Sequence, residues 1–288
     1  MLSFKKKKVI VKLKGGLGNQ LFQYAIGKFI SLNFEMPLYF DLTSFNSDIL
    51  RTFSLNVFAC EFGIYEPRMK KKRWNDFLKY AFYRTPTIIV EENFKFDSTV
   101  FNRVKSETML DGYWQSEKYF ESIRACILNE ITIKSVSESY LSFRKQIVSA
   151  NNAIFIHVRR GDYISNPETL KFHGVKELDY YKAALTKVKS SLNSLSFFIF
   201  SDDIEYVKNN FAWIGEYTII DGNLKDYEEL MLMSECKHAI IANSSFSWWG
   251  AWLIKNPNKF VIAPERWFED EAMHKQSQDI IPASWMKI

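Results

Sequence analysis

From residue 153 to residue 262 the chain repeats one pattern: a short apolar run, rich in β-branched and aromatic residues, then a longer segment with helical spacing. The apolar runs fall at 153–157, 197–200, 217–220, 239–241 and 260–262. The intervening spacing predicts helices over 178–192, from about 204, over 226–235 and over 246–254. Strands that are apolar at nearly every position bury both faces, and strand–helix–strand repeats set them parallel. The pattern therefore implies a parallel sheet with helices on both sides, whose ligands sit beyond the carboxyl ends of the strands.

The amino-terminal part opens with the same unit. Residues 9–13 read as a buried strand, Gly15-Gly16-Leu17-Gly18-Asn19 as a tight turn, and Leu21, Phe22, Ala25, Ile26, Phe29 and Ile30 as one wide apolar face of a helix. Residues 37–41 read as a second strand ending on Asp41. Between 42 and 108 the period is lost. Order returns at Gly112-Tyr113-Trp114-Gln115, with a helix predicted from about 117 to 128. The polar stretch at 134–139 and the pair Asn151-Asn152 mark a junction, which divides the chain into domains at 1–145 and 146–288. The expected fold class is α/β, with two Rossmann-like halves facing each other across a cleft.

Composition removes several function classes. With 47% hydrophobic and 25% charged residues the chain is of ordinary globular make-up. No apolar run approaches the roughly 18–20 residues of a spanning helix. Lys5 to Lys8 lead directly into the first strand without the apolar stretch of a secretory leader, so a cytoplasmic protein is expected. A net charge of +5 is too weak to indicate a nucleic-acid partner. Its basic runs, 5–8 and 70–73, read as a solvated face or as a peripheral contact with the inner membrane, at about 1 kcal/mol per lysine near an anionic surface. Cys60, Cys126 and Cys236 are too far apart for a zinc knuckle or a disulfide framework. No Asp-x-Asp, HExxH, GxxxxGK[ST] or GxSxG pattern is present, so neither a bound metal, a P-loop nor a hydrolase elbow is indicated.

Three segments at strand ends can carry chemistry. In residues 14–25, KGGLGNQLFQYA, glycines such as Gly16 and Gly18 let backbone approach a ligand, and the helix start offers N–H groups to an anion. As a dinucleotide fingerprint it is incomplete, because Leu21 stands where a third small residue is needed; Asp41 nonetheless stands where a ribose-binding carboxylate would. A tight turn without ligand is the plain alternative. The Asn19 amide suits a phosphate or a substrate hydroxyl, or a helix cap. In residues 156–163, IHVRRGDY, alternation puts His157 and Arg159 on one face and Arg160 on the other. Arg159 offers a planar fork matched to phosphate, with Asp162 as a nearby acid or base. The alternative is an Arg–Asp pair that holds the loop. In residues 242–252, ANSSFSWWGAW, the Asn243, Ser244 and Ser245 stretch aims hydroxyls and N–H groups at a phosphate, while Trp248, Trp249 and Trp252 read as core packing, with a stacking surface as the alternative. Asp202 ends another strand, where a carboxylate can hold a ribose or the N–H edge of guanine; Asp203 reads as a helix cap.

In this order, the segments 15–25, 112–115, 156–163, 201–203 and 243–253 resemble the bacterial α-1,2-fucosyltransferases of glycosyltransferase family 11. Gly161 favours that branch over a related α-1,6 branch. The resemblance implies a GT-B fold, with the acceptor in the first half and GDP-β-L-fucose in the second. It implies an inverting, metal-independent transfer of L-fucose to the 2-hydroxyl of a terminal β-galactoside, in glycan or O-antigen synthesis, with no cofactor beyond the donor. By the same resemblance Arg159 contacts the diphosphate, and Ser244, Ser245 and the helix start with Asn243 and Phe246 complete that anion site. His157 then lies near the diphosphate or nucleoside, and Asp202 at the guanine or ribose. Gly16, Gly18 and Asn19 approach from the opposite half. Asp162 is the first candidate for the base, with Glu168 and His173 as alternatives. Competing readings are a transferase for another nucleotide sugar or linkage, a dinucleotide oxidoreductase, and a glycan-binding module without turnover.

Overall fold

The structure, a computed structural model, describes residues 7–67, 85–161, 170–172 and 174–288. Asp162, Glu168, His173 and the basic run 70–73 lie outside the described residues.

The first half is a five-stranded parallel sheet in the order β3-β2-β1-β5-β4. Its strands are β1 (Lys8–Lys12), β2 (Leu38–Asp41), β3 (Gly63–Ile64), β4 (Thr87–Val90) and β5 (Glu107–Asp111). The predicted helix is α1 (Leu17–Asn33), which buries Leu21, Phe22, Ala25, Ile26 and Ile30. Lys8, from the first basic run, pairs with Glu107 at 2.7 Å and lies 4.9 Å from the Tyr65 ring, so part of that run is bound to its own sheet.

β3, β4 and β5 come from the stretch without a readable period. β4 is an edge strand with only Ile89 buried, and β5 reads ETMLD, with polar residues at both ends. Neither supplies the continuous apolar run that marks a buried strand. The helix expected over 117–128 is also different. Two short 3-10 turns, Glu117–Tyr119 and Glu121–Ile123, precede α3 (Arg124–Glu130), and α2 (Thr99–Asn102) is a single turn before them. The break falls at Phe120, whose φ of −148° leaves helical geometry and whose ring stacks on Trp249 at 5.5 Å. Core packing there overrides helical spacing.

The second half is a six-stranded parallel sheet, in the order β11-β10-β9-β6-β7-β8. Its strands are β6 (Asn152–Val158), β7 (Leu195–Ser201), β8 (Tyr217–Ile220), β9 (His238–Ile240), β10 (Val261–Ala263) and β11 (Met286–Lys287). The helices are α4 (Glu138–Ser149), α5 (Leu178–Ser191), α6 (Ile204–Asn210), α7 (Asp226–Glu235), α8 (Ser245–Leu253) and α9 (Glu271–Gln276). The five strands and four helices read from the repeat all lie within a few residues of their predicted positions. α4 packs against α7, so the expected division at 145/146 falls inside a helix of the second half. The strand order reverses between β6 and β9, and the loops after these strands emerge side by side at that switch point.

An aromatic core joins the halves. Phe22 of α1 lies 4.4 Å from Trp248 and 5.2 Å from Trp249 of α8, and both tryptophans are fully buried. Trp252 is 2% exposed, and the Trp248 indole donates to Ile280 O at 2.7 Å. Burying an aromatic or aliphatic side chain contributes about 1.5–3 kcal/mol. The tryptophans are therefore core, as their sequence suggested, and they hold α1 against α8.

Candidate active site

The glycine turn after β1 is a built feature. Gly15 has φ +79°, a left-handed conformation that side chains resist. The buried Gln20 donates its amide to Gly15 O at 2.9 Å and Thr52 O at 2.8 Å, and accepts from Ser54 N at 2.9 Å. It thereby ties the turn to the loop that carries Arg51. Gly16 is the N-cap of α1, with no side-chain cap and no acidic residue in the first turn, so the helix start keeps its partial positive charge. A β-carbon on Gly16 would stand 3.7 Å from the Arg51 guanidinium.

Gly18 approaches protein rather than open space. A β-carbon there would lie 2.5 Å from Ser245 C and 2.6 Å from Phe246 N. The absence of a side chain lets the first turn of α1 touch the first turn of α8. Asn19 is oriented by Gln115, whose amide donates to Asn19 Oδ1 at 2.8 Å. The Asn19 Nδ2 amide is left as a donor with no acceptor among the described residues. Gln115 is in turn placed by Trp114, held at φ +58° while Glu91 accepts from Tyr113 N at 2.6 Å and Trp114 N at 2.8 Å. Burial raises the Glu91 carboxyl to about 7, against the pull of those two amides.

In the second half, His157 is 3% exposed at the end of β6, and burial, with Arg159 next to it, pushes its pKa down to about 3. It is neutral at physiological pH. Its Nδ1 has no partner among the described residues, and its ring lies 5.9 Å from Phe246. Arg159 and Arg160, just past the end of β6, go to different acids. Arg159 meets Asp202 at 3.1 Å, while Arg160 meets Asp203 at 3.5 Å and lies 3.5 Å over the Tyr206 ring. Asp202 also accepts from Arg160 N at 2.8 Å and Gly161 N at 3.0 Å. Asp202 thus holds the 159–161 turn through two backbone amides as well as the Arg159 pair. Asp203 caps α6, accepting from Tyr206 N at 3.0 Å.

The loop after β9 is similarly ordered. Asn243 is 2% exposed and donates to Trp267 O at 3.1 Å, and Ser244 caps α8 by accepting from Phe246 N at 3.3 Å. The Ser245 hydroxyl makes no hydrogen bond with the described residues. The first turn of α8 carries no acidic residue. The starts of α1 and α8, brought together at Gly18, therefore set two acid-free helix N-termini at one place.

Sequence reading missed three residues here. Glu229 of α7 lies within electrostatic reach of Asp226, Asp202 and Arg159, and burial with its acidic neighbours lifts its pKa to about 7. Asp226 is raised by burial, while Arg51 of the other half pulls it back down. A helix periodicity cannot show which of its acids faces a cleft, and Arg51 lay in the unreadable stretch. Among the described residues, no group of three or more histidine, cysteine, aspartate or glutamate side chains is placed to hold a metal ion.

Two parallel α/β sheets meeting at a pair of helix starts, with an arginine at the switch point, have the GT-B architecture. The family model described as glycosyl transferase family 11 matches residues 1–288, and the chain belongs to that family. It is 34% identical over 293 residues to an α-1,2-colitosyltransferase of Escherichia coli, covering 97% of this chain and 98% of that one. It is 32% identical over 305 residues to the O-antigen biosynthesis glycosyltransferase WbnK of Escherichia coli, covering 96% and 99%. A galactoside 2-α-L-fucosyltransferase of Mus musculus is 23% identical, with 84% of this chain and 63% of the relative covered. Among solved structures, the fucosyltransferase NodZ from Bradyrhizobium superposes with a TM-score of 0.53 at 12% identity, covering 85% of this chain and 93% of that one.

Proposed function

We propose that the enzyme transfers a 6-deoxy-L-hexose, L-fucose in the first instance, from its GDP-activated form to the 2-hydroxyl of a β-galactoside, with inversion and without a metal. The observation that carries this reading is the contact of Gly18 with Ser245–Phe246. It brings two helix starts free of acidic residues to one place, where Phe246 lies 5.9 Å from His157, two residues before Arg159. That is an anion site suited to a diphosphate.

In the reaction the acceptor oxygen bonds to C1 of the sugar, and the bond from C1 to the β-phosphate oxygen breaks. GDP leaves with the electron pair and the acceptor proton passes to a base. The growing charge on GDP is taken up by Arg159, the Ser245 hydroxyl and the α8 N–H groups, with Asn19 Nδ2 donating from the opposite half. Asp162 is the base in this reading. Asp202 stays the candidate at the guanine or ribose, and Glu229 adds a second acceptor for N–H or O–H groups of the nucleoside.

A second reading concerns the donor. The α-1,2-colitosyltransferase relative is the reason to test GDP-colitose, whose sugar is fucose without its 3-hydroxyl. Mass spectrometry of the protein with lactose and each donor separates the two. A product heavier by one deoxyhexose and cleaved by an α-1,2-specific fucosidase supports fucosyl transfer. Product from GDP-colitose alone moves the donor to the dideoxy sugar, and no product with GDP release moves the question to the acceptor.

A further inference from the structure

At the opposite end of α8 from the donor loop, roughly 13 Å along a nine-residue helix, lies a cavity of about 280 Å³. Its lining includes Glu117, Arg124, Lys255, Lys259, Ser284 and Trp285. The charge there is lopsided. Arg124 lies 4.2 Å over the Trp252 ring and gives one N–H to Ile254 O at 3.1 Å. Lys259 donates to Ala251 O at 2.8 Å and Trp252 O at 2.9 Å, the last carbonyls of α8. Among the described residues no carboxylate forms an ion pair within 4.0 Å with Arg124, Lys255 or Lys259.

The acid of the cavity, Glu117, has one oxygen on the Trp252 indole N–H at 2.9 Å, and burial raises its pKa. It does not balance three cations. Burial, with the neighbouring Arg124, pushes Lys259 down to about 7, and the charge of Glu117 only partly offsets that shift. Lys259 alone reads as a cap that neutralises the negative end of α8. That role leaves unexplained the remaining Arg124 N–H groups, the Lys255 ammonium and the Ser284 hydroxyl, for which the described residues supply no hydrogen-bond partner.

We propose that this cavity is a second anion site, which takes a phosphoryl group on the Arg124 fork and the Lys255 ammonium, with Ser284 donating its hydroxyl. Once a bound anion recharges Lys259, three cations stand against one acid, which suits a dianion better than a carboxylate. The tetrahedral oxygens of phosphate can meet a planar fork and a separate ammonium at once. The phosphoryl group belongs either to a free phosphate monoester or to a lipid headgroup.

The test is calorimetry of the full chain with inorganic phosphate at pH 8, comparing wild type with Arg124→Gln, Lys255→Ala and Arg159→Ala. The expected result is binding by wild type and by Arg159→Ala, and roughly tenfold or greater weakening in Arg124→Gln, the loss of one charge-assisted hydrogen bond. Lys255→Ala, at an exposed position, should weaken binding several-fold and guards against misfolding of the Arg124 variant. Proton uptake on binding, read from the difference in heat between Tris and HEPES, should report the recharging of Lys259. Retention on phosphatidic acid vesicles but not phosphatidylcholine, lost with Arg124→Gln, would assign the lipid source; binding of free phosphate alone would assign the soluble one. No binding, equal binding by all four proteins, or loss only in Arg159→Ala would overturn the proposal.

Discussion

Gly18 and Ser245 are in backbone contact across the two halves of the protein: a β-carbon on Gly18 would stand 2.5 Å from the Ser245 carbonyl carbon and 2.7 Å from its oxygen. The neighbour is backbone at a helix start, which cannot yield without moving α8. Gly18→Ala should therefore destabilise the protein by about 1–3 kcal/mol, the usual cost of overpacking. It should also lower kcat/KM by more than the loss of folded protein explains. Denaturant midpoints alongside turnover per folded enzyme check both effects; unchanged turnover would separate the helix contact from the site.

Arg159→Ala should lower turnover by roughly 10²–10³, about 2.7–4 kcal/mol at the transition state. Arg159→Lys keeps the charge but loses the fork, so partial recovery is expected. Near-normal activity of the alanine variant, measured as GDP release, would remove Arg159 from the mechanism.

Gln115 acts through Asn19, to whose side-chain oxygen it donates at 2.8 Å. Asn19→Ala should reduce kcat more than it raises KM, and Gln115→Ala should do the same to a smaller degree. The double variant should be little worse than Asn19→Ala alone, because the second change removes support for a group already lost. Additive losses would show that the two residues act separately.

Glu229 carries a pH dependence of known sign. Its folded pKa of about 7 lies above the ordinary carboxyl value of 4.5, so the folded protein holds this proton more tightly than the unfolded chain. The stability it contributes is fully present below pH 4.5 and is lost as pH rises through 7. Glu91 is raised to about 7 as well and titrates over the same window. Glu229→Gln should therefore flatten part of the fall in denaturant midpoint between pH 5 and 8. A profile identical to wild type would mean that Glu229 is ionised and solvated throughout.

The proposed mechanism assigns the leaving charge to Arg159 and the α8 start, so EDTA should leave the rate of GDP release unchanged. A rate abolished by EDTA and restored by one divalent ion would overturn it.

The local residues determined much of this protein. Apolar runs and helical spacing are properties of contiguous segments, so the second sheet, α1 and the glycine turn could be read from the chain alone. The core role of Trp248, Trp249 and Trp252 followed from their place in an apolar helix. What the order of residues does not carry is which distant groups meet. β5 pairs with β1 although its own sequence is only half apolar, because its partners complete the burial. Phe120 breaks a helix to reach Trp249. Asp202 spends its oxygens on the Arg159 loop, and Glu229 faces that loop from another helix. Spacing along a chain fixes direction only over a turn or a strand. The pairing of α1 with α8, and with it the surface where two helix starts converge, was decided by aromatic packing between halves more than two hundred residues apart.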